Sequence, residues 1–318
     1  MKPGLLLIGG ATDRMMARFN AEFTVHPLKD IDDLAGFLAE HGPEITAVAT
    51  NGHDGVKPQI MEGLPNLKVI SCYGVGYDAV DTATCAERGI IVSHTPGVLN
   101  DDVANTALLL ILAAARNLVF NDQYVRQGRW VKDGNTPLTR SPEGKVFGIL
   151  GLGRIGERIA EKLAQFNGKV VYHSRNKKNN VAYEYYDDLT KMARDCDYLI
   201  VITPGGAATN KLVNREVIEA LGPSGTLINV ARGTVVDETE MVAALQDGRL
   251  GWAGLDVFED EPKVPEALFS LDNVTLLPHV ASATVETRQA MGDLVCDNLS
   301  AFLKDGSVLT SVPETAHL

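Results

Sequence analysis

The chain has 318 residues, enough for about two domains of ordinary size, and 29 Lys+Arg against 41 Asp+Glu leave a formal charge of −12. That balance excludes general binding to nucleic acid or a membrane surface, which needs clustered positive charge, but not binding of a small anion. Four cysteines, at 72, 85, 196 and 296, form no CxxC pair, which excludes a disulfide framework or zinc site and fits reduced thiols.

Residues 1–10 are too briefly apolar for a secretory signal. The longest apolar run, 107–115, falls short of the ~18 residues a membrane span requires, so no membrane partner and a cytoplasmic location are expected. Short apolar runs at 5–8, 23–25, 47–50, 68–72 and 90–92 predict strands. Between them, stretches such as 31–40, with Ile31, Leu34 and Leu38 at helical spacing, predict helices. Such alternation means a parallel sheet with helices packed on it. Thr95-Pro96-Gly97 breaks the pattern, and Asn100-Asp101-Asp102 then opens a long helix whose acidic start complements the helix dipole. Residues 107–115 are apolar all round, which predicts burial on every side at a domain or subunit interface. A second alternation follows, with strands at 146–150, 169–173, 198–202, 226–230, 253–257 and 274–277. Residues 284–304 predict a final helix with Met291, Leu294, Val295, Leu299 and Phe302 on one stripe and Gly306 as its stop. The fold class is therefore α/β, with two parallel-sheet domains. One comprises 1–98 and 289–318, the other the inserted segment 99–288. Two crossovers join them, an arrangement that favours a cleft and hinge closure.

Gly151-Leu152-Gly153-Arg154-Ile155-Gly156 follows the strand 146–150 and opens a helix with Ile155, Ile159 and Leu163 on one face. A lone GxGxxG is equally a plain strand–helix turn. Here the strand before it, the helix after it and a second strand ending at His173 form the context that binds a dinucleotide. Glycine lets the backbone approach the pyrophosphate, and the helix start offers N–H groups and positive partial charge. A carboxylate at the end of the second strand would mark NAD, but Tyr172-His173-Ser174-Arg175-Asn176-Lys177-Lys178 carries none. Ser174, Arg175 and Asn176, with Lys177 and Lys178, suit a 2′-phosphate instead. NADPH/NADP is the expected cofactor, with NAD(H) as the weaker alternative; a solvated basic loop is the other reading of this run.

Arg232, Glu261 and His279 each lie just past a predicted strand, where parallel sheets place their ligands. Taken singly, each is open to a structural reading, a surface arginine or a hydrogen-bonding histidine. No metal-ligand cluster is present. Gly151–Gly156, Asn229-Val230-Ala231-Arg232-Gly233, Gly254-Leu255-Asp256-Val257-Phe258-Glu259-Asp260-Glu261-Pro262 and Leu277-Pro278-His279-Val280-Ala281-Ser282 together resemble the D-isomer-specific 2-hydroxyacid dehydrogenase family. The likeness runs in order over essentially the whole chain. Within the family it is greatest to the NADPH-dependent glyoxylate/hydroxypyruvate reductases, including the hydroxyphenylpyruvate reductase type.

The resemblance implies an inserted Rossmann domain and a discontinuous, flavodoxin-like substrate domain. It implies hydride transfer between NADPH and a small 2-oxo acid: Arg232 binds the carboxylate, His279 donates the proton, and Glu261 orients the imidazole and favours its charged form. It also implies cofactor contacts from Thr106, the glycine loop with Arg154 and Ile155, Thr203, Pro204, Thr209, Val230, Ala231 and Asp256. Asp256 is equally a loop cap, and Thr203-Pro204 equally a bland turn. Tyr73-Gly74-Val75-Gly76 matches the loop whose backbone N–H groups grip the substrate carboxylate, with Val75 and Gly76 as the contacts; Asn51-Gly52 is a further substrate contact or a common turn. A homodimer through the Rossmann domain and the 101–120 helix is expected. The alternatives are a reductase of arylpyruvate or pyruvate, or a nucleotide-sensing, corepressor-like binding protein.

Overall fold

The first apolar run becomes strand β1, Gly4–Leu7, with all four residues buried. It pairs in parallel with β2 (Thr24–Pro27) and β3 (Ile45–Asn51), and β4 (Val69–Tyr73) and β5 (Ile91–Ser93) extend the sheet in the order β2-β1-β3-β4-β5. This is a flavodoxin-like order. Alternate residues serve opposite faces: Leu6, Val48, Ile70 and Val92 in one apolar cluster, Leu5, Leu7, Ala47, Ala49 and Val69 in the other. Burial on both faces is what makes these strands read as nearly continuous apolar runs. The order reverses between β1 and β3, and there a Cβ added to Gly9 would sit 2.6 Å from Asn51 Nδ2.

The final helix, Val285–Asp305, packs on β4 and on the helix Asp13–Glu22. Thr284 caps its start by accepting the Thr287 N–H at 3.2 Å. Gly306, with φ +80°, ends it by donating to the Phe302 carbonyl at 2.9 Å. Met291, Val295 and Leu299 are buried, and Leu294 and Phe302 partly so. The computed structural model describes residues 2–318. They divide into two compact units, one running to Leu99 and resumed at Ala283–Leu318, the other Asn100–Ser282. The second boundary thus precedes the expected 288/289, because the whole last helix belongs to the first unit.

The second unit holds β6 (Val146–Leu150), β7 (Lys169–His173), β8 (Glu184–Tyr185), β9 (Tyr198–Val201), β10 (Thr226–Asn229), β11 (Trp252–Leu255) and β12 (Val274–Leu276). All are parallel, in the order β12-β11-β10-β9-β6-β7-β8. The order reverses between β6 and β9, and ligands bind beyond the carboxyl ends of strands at such a switch point.

Helix Asn100–Ala115 opens this unit and packs on helix Arg154–Leu163 and on β10–β12. Burial on every side is not what the chain provides: Leu109 is 48 % and Leu112 39 % exposed. With Asn105 and Arg116 they form one uncovered stripe, and Leu118, Val119, Val125, Trp130, Val131 and Leu138 extend the exposed apolar surface. Among the described residues no single helix is long and apolar enough to cross a membrane.

Candidate active site

Each glycine of the 151–156 loop has its own reason. Gly151 has φ +104°, and a Cβ there would lie 2.8 Å from Thr203 N, so the loops after β6 and β9 touch at the switch point. A Cβ on Gly156 would meet the Gly151 carbonyl oxygen at 2.3 Å, so the helix packs onto the turn only as glycine. A Cβ on Gly153 meets nothing within 4 Å; that side of the loop is open to a ligand. No side chain caps the helix that starts at Arg154, which leaves its first-turn N–H groups to an incoming anion. These residues fit a dinucleotide pyrophosphate.

At the end of β7, Arg175 is exposed and makes no hydrogen bond or ion pair among the described residues. Lys178 differs from the expectation. Lys178 Nζ is paired with Glu157 Oε1 in the first turn of the glycine-loop helix, and its backbone N–H donates to Tyr172 Oη at 2.9 Å. Lys178 is therefore part of the scaffold. Ser174 Oγ donates to the Asn176 carbonyl at 2.7 Å and Tyr185 Oη to the Ser174 carbonyl at 3.3 Å, so these groups shape the turn that presents Arg175. Beyond β9, Thr209 Oγ1 donates to the Pro204 carbonyl at 2.7 Å, closing the turn after Thr203; the bland-turn reading describes its hydroxyl.

Arg232, Glu261 and His279 follow β10, β11 and β12, three adjacent strands, so all three leave the same edge of the sheet. Asn229, buried at the end of β10, braces the arginine turn from both ends of its amide. Oδ1 accepts the Ala231 N–H at 3.0 Å and Nδ2 donates to the Arg232 carbonyl at 3.0 Å. Arg232 Nη1 donates to the Ala231 carbonyl at 2.8 Å, and the Val230 N–H to the Val201 carbonyl at 3.3 Å. An Asn at a strand end is a turn former, a signal that points to a turn but not to the backbone groups this side chain grips.

His279 Nδ1 and Glu261 Oε2 are 2.7 Å apart, and Glu261 Oε1 accepts the Phe258 N–H at 3.0 Å. The carboxylate side chain is 19 % exposed and the imidazole 42 %, which is the order expected of a group that orients and a group that reacts. With Nδ1 committed to the carboxylate, Nε2 is the nitrogen left for chemistry. His279 has φ +53°, a left-handed backbone that a non-glycine residue holds only under constraint. The constraint is Asp256. The N–H groups of His279, Val280 and Ala281 donate in turn to its carbonyl at 2.8 Å, its Oδ1 at 2.7 Å and its Oδ2 at 2.9 Å. Asp256 is 0 % exposed, and burial pushes its carboxyl up despite the two N–H groups and the nearby imidazole that hold it down. Its carboxylate thus caps the histidine loop. Thr106 Oγ1 donates to the Ala281 carbonyl at 3.2 Å, so it too holds the histidine loop.

In the first unit, Asn51 Oδ1 accepts the N–H groups of His53 and Asp54 at 2.9 and 2.8 Å, and its Nδ2 donates to Asp54 Oδ2 at 2.7 Å. Asn51-Gly52 is a self-contained turn, closed by the Asn51 amide on its own residues. The loop after β4 differs. Gly74 N–H donates to Thr95 Oγ1 at 3.0 Å, and the Val75 carbonyl meets His94 Nδ1 at 2.9 Å. The N–H groups of Val75 and Gly76 have no partner among the described residues. Two successive open N–H groups on a braced loop suit a carboxylate.

Compared with known proteins, residues 108–281 match the family profile described as D-isomer specific 2-hydroxyacid dehydrogenase, NAD binding domain. The chain is 50% identical over 276 residues to a hydroxyphenylpyruvate reductase of Plectranthus scutellarioides, spanning 87% of this chain and 88% of that one. It is 48% identical over 296 residues to a glyoxylate/hydroxypyruvate reductase of Arabidopsis thaliana, spanning 93% of each. Among solved structures it resembles the NADPH-dependent glyoxylate/hydroxypyruvate reductase of Sinorhizobium meliloti in complex with NADP and malonate. The TM-score is 0.92 at 44% identity, over 99% of this chain and 98% of that one.

Proposed function

The chain belongs to the D-isomer specific 2-hydroxyacid dehydrogenase family, and on that premise we propose that it reduces small 2-oxo acids, glyoxylate and hydroxypyruvate foremost, to D-2-hydroxy acids with NADPH. The observation that carries the reading is the 2.7 Å pairing of His279 Nδ1 with Glu261 Oε2 on a strained loop clamped by Asp256. The names of the relatives support the substrate class.

The bound cofactor supplies a hydride to the carbonyl carbon. Gly151, Gly153, Arg154, Ile155 and Gly156 hold its pyrophosphate, and Arg175 its 2′-phosphate. Arg232 binds the substrate carboxylate through its planar fork and draws charge from the ketone. His279 carries the proton on Nε2 and delivers it to the carbonyl oxygen as the alkoxide forms, and Glu261 holds the imidazolium in place until then.

Steady-state rates on glyoxylate, hydroxypyruvate, pyruvate and phenylpyruvate, each with NADPH and NADH, test the reading. The expected result is the highest kcat/KM for hydroxypyruvate and glyoxylate with NADPH. A lead for phenylpyruvate assigns the arylpyruvate alternative, and binding of NADPH without turnover of any of the four assigns the nucleotide-sensing one. In the same assay Arg175→Ala raises KM for NADPH about tenfold to a hundredfold, the weight of a charged hydrogen bond. KM for NADH is nearly unmoved; equal effects on both cofactors would sink the role given to Arg175.

The protein is further proposed to work as a homodimer. Leu109, Leu112, Leu118, Val119, Trp130 and Val131 are exposed together on the second unit, and a clustered apolar surface of this kind marks an interface. Sedimentation at micromolar concentration gives twice the chain mass; a monomer there refutes it. The cytoplasm is the proposed location, since all four cysteines are buried thiols and none is in a disulfide; fractionation of the tagged chain checks this.

A further inference from the structure

Glu238 opens helix Glu238–Asp247, which Asp237 caps by accepting the Glu240 N–H at 3.4 Å. The cap is already supplied, and the Glu238 carboxylate turns elsewhere: Oε2 accepts the N–H of Glu259, in the loop after β11, at 3.0 Å. The peptide that joins Phe258 to Glu259 is held on a further side, while the N–H of the peptide before it, that of Phe258, donates to Glu261 Oε1 at 3.0 Å. A Cβ on Gly233 would fall 1.9 Å from the Phe258 carbonyl carbon and 2.3 Å from Glu259 N, so the turn carrying Arg232 lies directly against this peptide. The segments bearing Arg232 and Glu261 therefore meet at one place, and Glu238 is the side chain that fastens it.

The surroundings argue that this is more than filling. Glu259 and Asp260 flank Glu238, and burial together with those two carboxylates pushes its carboxyl up. Lys263 pairs with Asp260 at 3.1 Å and Lys211 with Asp237 at 3.5 Å, so neither lysine is committed to Glu238. A half-buried carboxylate beside two others is an unfavourable choice on electrostatic grounds alone. The hydrogen bond to Glu259 is what the position gains.

We propose that Glu238 is a positioning residue for the proton-transfer pair: by fixing the Phe258–Glu259 peptide it sets the direction in which Glu261 presents Oε2 to His279 and the seating of the Arg232 turn against it. The proposal rests on the reductase reading above. Glu238 acts only through Glu261 and the arginine turn.

The test compares Glu238→Ala, Glu238→Gln and Glu261→Gln with the wild-type full-length protein. Hydroxypyruvate reduction by NADPH is followed across pH, with NADPH affinity and thermal midpoint measured on each variant. Glu238→Ala is expected to lower kcat about tenfold to a hundredfold, the cost of a small misplacement of reacting groups, with NADPH affinity unchanged. The pH limb of its rate departs from the wild type in the same direction as that of Glu261→Gln, because both leave His279 Nδ1 without its oriented carboxylate. Glu238→Gln keeps an acceptor oxygen and restores most of the rate and the wild-type limb. A wild-type pH limb in Glu238→Ala overturns the proposal, whether the rate is full or falls only in step with the folded fraction. Wild-type activity in Glu261→Gln overturns the reductase mechanism instead.

Discussion

His279→Ala lowers kcat for hydroxypyruvate reduction by about a hundredfold to ten thousandfold, the range for loss of a positioned general acid, while NADPH binds as before. That loss equals roughly 3–5 kcal/mol of transition-state stabilisation. The position of the imidazole depends on one contact, Nδ1 on Glu261 Oε2 at 2.7 Å. Truncation leaves the fold in place, because the loop is anchored through main-chain N–H groups of residues 279, 280 and 281 that alanine retains. Glu261→Gln keeps an oxygen at hydrogen-bond distance but removes the charge, so its loss is smaller. Steady-state kinetics beside NADPH fluorescence titration separates the chemical loss from a binding loss. Full activity in His279→Ala would refute the assignment of the proton donor.

Arg232→Ala lowers kcat/KM for the 2-oxo acid by about a hundredfold to ten thousandfold, through a higher KM and a lower kcat together. Two charge-assisted hydrogen bonds at roughly 1.5–3 kcal/mol each account for that range. Both constants move because the same guanidinium holds the carboxylate in the ground state and eases charge onto the ketone oxygen as the hydride arrives. Arg232→Lys recovers only a small part: an ammonium carries the charge but not the fork. Asn229 grips the turn at the Ala231 N–H and the Arg232 carbonyl, so the backbone survives either change. A KM for hydroxypyruvate unchanged in Arg232→Ala would remove the arginine from the carboxylate site.

What was legible in the sequence, and what was not, has a physical pattern. Strands buried in the sheets read as apolar runs: of the eleven so predicted, 146–150 and 169–173 coincide with β6 and β7, and the other nine differ from those observed only at their ends, as β1 or β9 does by a residue. β8 was not legible, because Glu184-Tyr185 is two residues long and carries no apolar run. The 107–115 stretch displayed its apolar character but not its cover; composition does not say which neighbour buries a face. Arg232, Glu261 and His279, the side chains proposed for catalysis, stood out because each follows a strand and sits in a motif.

Of the clamps around them, a loop cap at Asp256 was one of two sequence readings; what was not legible is which backbone N–H and carbonyl groups Asp256, Asn229 and Glu238 grip, because a backbone group has no letter of its own in a sequence. For the same reason Asn51 was readable in two ways until its amide was found closed on its own turn, and Lys178 until its ammonium was found on Glu157.

The two units have separate apolar cores, one around β10 and its neighbours, the other on the two faces of the five-stranded sheet. The groups assigned to hydride acceptance and proton delivery hang from the first of these bodies, and Val75 and Gly76 hang from the second. In a chain so built, a change of size or polarity in the loops of the smaller sheet leaves untouched the core that holds Arg232, Glu261 and His279, so the two sets of groups can be altered one at a time.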